Sequence, residues 1–184
     1  MKDTLATTAG RQSAKRLGTV RFEDGEPVDA LLDAVVRLLK ADGHHIAGYV
    51  QRETNDGDGC CSLIHLENIA DGRTSCITQP LGPGSRGCRL DPRVLADLCS
   101  SLLAEIDVGA DILLLNRFGK AESEGQGFRT VIEKAFDKGI PTLIGVRNSY
   151  VDAWNAFGGT FADDLPADAE TLIAWCRLAI GEKR

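Results

Sequence analysis

Between residues 17 and 51 the hydrophobic positions change period twice. Residues 17–22 read as a short strand that ends in the polar turn 23–26. Val28, Leu31, Leu32, Val35, Leu38 and Leu39 then follow the i, i+3, i+4, i+7 spacing of one helical face, with Asp29, Asp33, Arg37 and Lys40 opposite. Pro27 and Val28 open this helix where proline's fixed φ is suited, and Gly43 closes it. Residues 45–51 return to strand character, so strand, helix and strand fill the span of one βαβ unit, whose crossover is expected to be right-handed.

Segments 62–67 and 74–78, separated by an Asp71-Gly72 turn signal, predict an antiparallel hairpin inserted into the α/β pattern. Residues 79–89 form a Gly/Pro-rich loop. Asp91 is placed to cap a helix that starts at Pro92 and carries Val94, Leu95, Leu98, Leu102 and Leu103 on one side. Residues 111–115 are apolar after the first, as in a central strand buried on both faces of a parallel sheet. A polar loop over 116–126 follows. A helix near 128–138, a strand over 140–146, and helices around 151–157 and 168–180 complete the pattern, with Gly158-Gly159 as a break. The pattern predicts a three-layer α/β domain with a mostly parallel sheet, spanning 17–184. Residues 1–16 carry Lys2, Arg11, Lys15 and Arg16 without hydrophobic periodicity and are expected to form a flexible basic tail.

Composition narrows the classes. The 184 residues, 43% hydrophobic and 26% charged, suit one domain with a core that needs no cross-links. With 21 Lys+Arg against 27 Asp+Glu the net charge is −6, so no phosphate-neutralising excess supports nucleic-acid binding. No apolar run is long enough for a membrane span and no apolar signal core opens the chain, so a cytoplasmic protein without a membrane partner is expected. The six cysteines include no CxxC pair, which excludes a zinc ribbon; in that compartment they are expected to remain thiols.

Ligands of open α/β sheets bind outside the carboxyl ends of the parallel strands, which directs attention to 23–26, 52–59, 116–126 and 147–149, with 79–89 able to fold over them. A phosphate loop is missing: residues 22–30 hold one Gly, no Lys, and the carboxylates Glu23, Asp24, Glu26 and Asp29, which repel a triphosphate and otherwise form a solvated helix start. The segment 116–128 is denser in chemistry. Asn116, Arg117 and Lys120, near the N–H groups around Gly125 and Gly127, suit an oxyanion or phosphate; the alternative is that Arg117 and Lys120 pair with Glu122 and Glu124 on the surface. In 79–89, Arg86, Cys88 and Arg89 stand among glycines able to expose N–H groups, and a Cys88 thiolate favoured by two arginines is a soft metal ligand. Cys60, Cys61, His65 and Cys76 make a weaker metal candidate, because adjacent strand residues point to opposite faces. With three histidines, none in a nucleophile-elbow setting, no catalytic residue is assigned. Trp154 and Trp175 read as core residues.

The run 112–125 (ILLLNRFGKAESEG), with Gly139-Ile140-Pro141, the WNAFGG segment at 154–159 and the CRLDP segment at 88–92, resembles an uncharacterised bacterial domain-of-unknown-function family over residues 18–175. The resemblance implies a setting near molybdenum and molybdopterin-cofactor genes. More distantly, the layout is similar to a small P-loop nucleoside-triphosphatase family, whose Gly-Lys-Met-Glu-like segment is matched by Gly119-Lys120-Ala121-Glu122. Where that family carries an acidic pair for magnesium, this chain has Asn116 and Arg117, so the resemblance implies a P-loop-like fold without Mg-ATP chemistry. The expected function is therefore binding of a small anionic ligand: molybdate, tungstate or a molybdopterin-type phosphate. Arg86, Arg89, Asn116, Arg117 and Lys120 would hold it, with Cys88 as a metal ligand. A divergent nucleotide-binding enzyme, or a scaffold for a metalloenzyme or cofactor-synthesis partner in molybdenum metabolism, stays open as an alternative, as does a homo-oligomer.

Overall fold

The computed structural model describes residues 16–55, 62–79 and 90–181. In chain order the elements are β1 (Leu17–Phe22), α1 (Val28–Ala41), β2 (Ile46–Asn55), β3 (Ser62–Asn68), β4 (Thr74–Cys76), α2 (Pro92–Val108), β5 (Ile112–Phe118), α3 (Lys120–Ser123), α4 (Arg129–Asp137), β6 (Thr142–Arg147), α5 (Val151–Phe157), β7 (Ala162–Leu165) and α6 (Ala169–Gly181). Seven strands form one sheet in the order β4-β3-β2-β5-β6-β1-β7. The run from β2 to β7 is parallel, while β3 is antiparallel to β2 and to β4.

Helices cover both faces, giving the three layers expected. Val28, Leu32, Val35 and Leu39 of α1 and Leu172, Trp175 and Cys176 of α6 bury against Val20, Ile112, Leu114 and Leu143 on one face. On the other, Leu102 and Ile106 of α2, Val131 and Ala135 of α4, and Trp154 of α5 pack on Leu113, Leu115 and Ile144. The alternation of Leu113 and Leu115 to one side with Ile112 and Leu114 to the other is why the run had to be uniformly apolar. Asp91 caps α2 by accepting from the Arg93 and Val94 amides at 2.9 and 3.4 Å, and Pro92 occupies the first turn. Both tryptophans are core residues: Trp154 Nε1 donates to Thr19 Oγ1 at 3.0 Å and Trp175 Nε1 to Asp163 Oδ2 at 2.9 Å.

Several expectations are corrected. β5 runs on through Asn116, Arg117 and Phe118, which the polar pattern had assigned to a loop. β2 runs to Asn55, and its second half pairs with the whole of β3, so the expected antiparallel hairpin of β3 and β4 continues the sheet from β2. β7 was not expected at all. In α1 Val36 is buried along with the expected stripe, while Leu38 is turned outward. Arg16 was placed in the tail, yet its carbonyl accepts from Thr142 N at 2.8 Å and its guanidinium reaches Gly139 O. The rest of the tail lies outside the described residues.

Glu105 of α2 gives a first test of these contacts. Its Oε1 accepts from Asn68 Nδ2 at 2.5 Å, and its Oε2 is buried with no partner among the described residues. Burial is the main cause that pushes its carboxyl above the ordinary range. A carboxyl raised in the folded state binds its proton more tightly there than in the unfolded chain. Stability is therefore highest below the unfolded value and falls as pH rises through the folded one. Glu105→Gln keeps the acceptor toward Asn68 and removes the charge. At pH 8 it should stabilise by about 1 kcal/mol, with the gain shrinking toward pH 4; urea melts at both pH values check this, and an equal gain at both would contradict it.

Candidate functional site

The connection that leaves β1 passes over one face through α1, and the connection that leaves its neighbour β6 passes over the other through α5. Neighbouring strands whose connections part in this way leave a crevice at their carboxyl ends. Here that crevice is a cavity of about 500 Å³ bordered by the turn Glu23–Glu26, Asp29 of α1, and Arg52, Arg117 and Arg147 at the ends of β2, β5 and β6.

Its charges are tied in pairs. Arg117 Nη2 donates to both Asp29 oxygens at 3.0 and 3.3 Å, and Asn116 Nδ2 adds 2.9 Å to Oδ1. Arg117 also lies over the Phe22 ring, 5.6 Å from its centroid. Arg147 Nε sits 2.9 Å from Asp24 Oδ1 in an ion pair, Asn148 Nδ2 donates to Glu23 Oε1 at 2.5 Å, and Glu26 Oε2 accepts from Glu23 N at 2.6 Å. Arg52 bridges Asp33 at 2.6 Å and Glu67 at 2.9 Å, contacts that raise its guanidinium pKa further. The acidic turn is thus not merely solvated: four of its carboxylates are held, three by side chains and one by a backbone amide. Carboxylates outnumber guanidinium groups around this crevice, which disfavours a polyphosphate.

A second cavity, of about 550 Å³, lies on the α2 side of the same strand ends. It shares Arg117, Arg147, Gln51 and Glu53 with the first and adds Lys120 and Glu122 from α3, with Ile64, Leu66, Ile77 and Phe128 as apolar wall. The β5–β6 register shifts between Leu115 and Phe118, a bulge that contains Arg117, which borders both cavities. Bulges re-aim side chains. This one is accommodated by Gly145 of β6, where a Cβ would lie 2.2 Å from the Asn116 carbonyl oxygen.

Of the predicted site residues, Arg117 and Lys120 meet at the second cavity. Lys120 pairs with Glu124 at 3.8 Å, as the surface alternative had it, but Arg117 pairs with Asp29 and not with a neighbour in its own segment. Asn116 is buried on the Asp29 side, and its Oδ1 has no partner among the described residues. Arg86, Cys88 and Arg89 lie outside the described residues, as do Cys60 and Cys61. The expected N–H groups near Gly125 and Gly127 meet a different anion. Glu122, 6% exposed, takes the Gly119 amide on Oε2 and the Phe128 amide on Oε1, each at 2.9 Å, so the protein's own carboxylate occupies that position.

His65 and Cys76 face each other in the β3–β4 register, yet His65 Nε2 lies 3.2 Å from Thr54 Oγ1 and the Cys76 thiol 3.7 Å from Thr78 O. Among the described residues no group of three or more metal-ligating side chains is found. Burial raises the Cys99 thiol to about 11 and the Cys176 thiol to about 12, which keeps both protonated. Asp29, Arg52, Arg147 and Glu122 were not singled out as site residues. The carboxyl ends of β1, β5 and β6, which bring Phe22, Arg117 and Arg147 to its border, locate the crevice. Among the described residues no helix is long and apolar enough to cross a membrane.

A family model described as a protein of unknown function, DUF2478, matches residues 17–175. The chain is also 32% identical over 162 residues to a protein named molybdenum import ATP-binding protein ModC 2 of Bradyrhizobium diazoefficiens. That match covers 88% of this chain but 18% of the relative, so the chain spans less than a fifth of that protein's length. No solved structure matches. The seven-stranded, mostly parallel sheet with its antiparallel extension is consistent with a P-loop-like domain.

Proposed function

The chain belongs to the DUF2478 family, and on that premise we propose that it binds a small anion, molybdate, tungstate or the phosphate of a molybdopterin-type cofactor, without hydrolysing nucleoside triphosphates. The observation that carries this is the convergence of Arg117, Arg147 and Lys120 on one cavity at the carboxyl ends of β5 and β6. Guanidinium and ammonium groups give charge-assisted hydrogen bonds, stronger than neutral ones. Thr78 and Leu90, which pair across an isolated bridge, both line this cavity, and they flank the segment that carries Arg86, Cys88 and Arg89. We assign those three to the same site, Cys88 as a soft ligand to the metal of the anion. That the ModC relative is named for molybdenum import supports a molybdenum setting, and we propose that the protein acts in the cytoplasm beside a protein partner of molybdenum metabolism.

Against hydrolysis stand the missing phosphate-loop lysine and the carboxylates Asp24 and Asp29 at the start of α1. The P-loop-like sheet is what favours the second reading, a divergent nucleotide-binding enzyme.

Thermal-shift and calorimetric titrations with molybdate, tungstate, phosphate, sulfate and Mg-ATP at fixed ionic strength separate the two. An anion at 100-fold its Kd should raise stability by about 2.7 kcal/mol. Lys120→Ala, at an exposed position, should weaken binding roughly tenfold, the loss of one charge-assisted bond of about 1.4 kcal/mol, without lowering Tm. Arg89→Ala should do the same. No response to any anion overturns the proposal, and Mg-dependent ATP hydrolysis abolished by Lys120→Ala establishes the alternative.

A further inference from the structure

We infer that the anion bound in the second cavity is the head of an organic molecule with a flat apolar body, such as an aromatic or heterocyclic monophosphate, and not a bare tetrahedral oxyanion. This rests on the assignment of that cavity as an anion site. Its first support is size. At about 550 Å³ the cavity falls in the range of organic-ligand pockets, roughly 300–1,000 Å³. A tetrahedral oxyanion fills only the room of two or three waters, at ~30 Å³ each.

The second support is the division of the lining. Arg117, Arg147 and Lys120 supply positive charge in excess of the carboxylates Glu53 and Glu122, the latter already held by two backbone amides, whereas Ile64, Leu66, Ile77, Leu95 and Phe128 supply hydrocarbon continuous with the core under α2. Leu66, Ile77 and Phe128 are more than nine-tenths buried, and the Phe128 ring is braced against Tyr49 with centroids 5.6 Å apart. A hydrated inorganic anion gains nothing from such a wall, and the wall atoms facing the space lack dispersion partners on that side. A ring laid against Phe128 and Leu95 recovers those contacts while its phosphate or carboxylate reaches the cations. The first crevice has no comparable hydrocarbon wall, so the amphiphilic character belongs to the second cavity alone of these two.

The test compares, by calorimetry on the full chain, inorganic phosphate, ribose 5-phosphate, phenyl phosphate, and the monophosphates GMP and AMP. Ring-bearing phosphates are expected to bind at least tenfold more tightly than inorganic phosphate or ribose 5-phosphate. Leu95→Ala, a half-buried wall position on α2, should cut that preference severalfold. Lys120→Ala should weaken all of them alike. If inorganic phosphate or molybdate binds as tightly as the ring-bearing compounds, or if Leu95→Ala leaves the preference intact, the organic assignment fails while the anion site stands. If nothing binds, both fall.

Discussion

Gly145→Ala is expected to destabilise the protein by about 3 kcal/mol, the upper range for overpacking at a rigid site. The new methyl carbon would stand 2.2 Å from the carbonyl oxygen of Asn116 and 3.3 Å from its carbon, both backbone atoms of the neighbouring strand. Backbone in the middle of a seven-stranded sheet cannot move aside as a side-chain end does. β6 is paired on both edges, with β5 and with β1, so relief has to come from separating strands or straightening the bulge in β5. At about 2–4 °C per kcal/mol for a chain of this size, Tm should fall by roughly 6–12 °C. Straightening the bulge also turns Asn116 and Arg117 away from Asp29, so anion binding should weaken in the same variant. A Tm within 2 °C of the parent would show that the bulge is soft and that this account of how Arg117 is aimed is wrong.

Glu122→Ala should cost a similar amount, about 3 kcal/mol, for a different reason. Its carboxylate accepts from two backbone amides, those of Gly119 and Phe128, and is almost fully buried. Removing it leaves both donors without an acceptor in a place water does not reach, at ~1.5–3 kcal/mol for each charge-assisted bond. Glu122→Gln is the informative control. The amide retains one oxygen for one of the two donors but turns an NH2 toward the other, so its loss should be smaller than that of alanine while remaining above 1 kcal/mol. Urea melts of the three proteins at pH 7 decide it. If alanine costs less than about 1 kcal/mol, the segment between β5 and α4 is not organised around this side chain.

Much of the architecture was legible because it rests on local pattern. The apolar stripe of α1, the Asp91-Pro92 start of α2 and the apolar run of β5 each announce their element within a dozen residues. β7 was illegible for a physical reason: its sequence Ala-Asp-Asp-Leu has weak strand propensity, and it sits at a sheet edge where pairing with β1 supplies the stability. The end of β5 was misread because Asn116 and Arg117 are polar yet inward. What makes their burial tolerable is Asp29, 87 and 88 residues away in sequence. No local window contains that pair. The same holds for Arg147 with Asp24, so the loops that border the crevice are legible in the sequence but the neutralisation of its acidic turn required the folded chain. Lys120 and Arg117 are adjacent enough in sequence to be read together, whereas Glu122 enters that reading only as an alternative surface partner of theirs and not as the buried acceptor it is.

The position of β1 in the sheet also sets an order of assembly. The first strand of the sheet made during synthesis has β6 and β7, the last two, as its only neighbours, and its contacts include a hydrogen bond spanning 135 residues. Strands β2 to β5 can pair as soon as residues up to Phe118 have emerged, but β1 must wait until residues up to Leu165 have followed. Closing so long a loop is entropically costly and slows folding relative to a sheet assembled from sequence neighbours. In that interval the apolar edge of β5, the future seat of β6, stands open, and it is there that a partially synthesised or slowly folding chain would first associate with another.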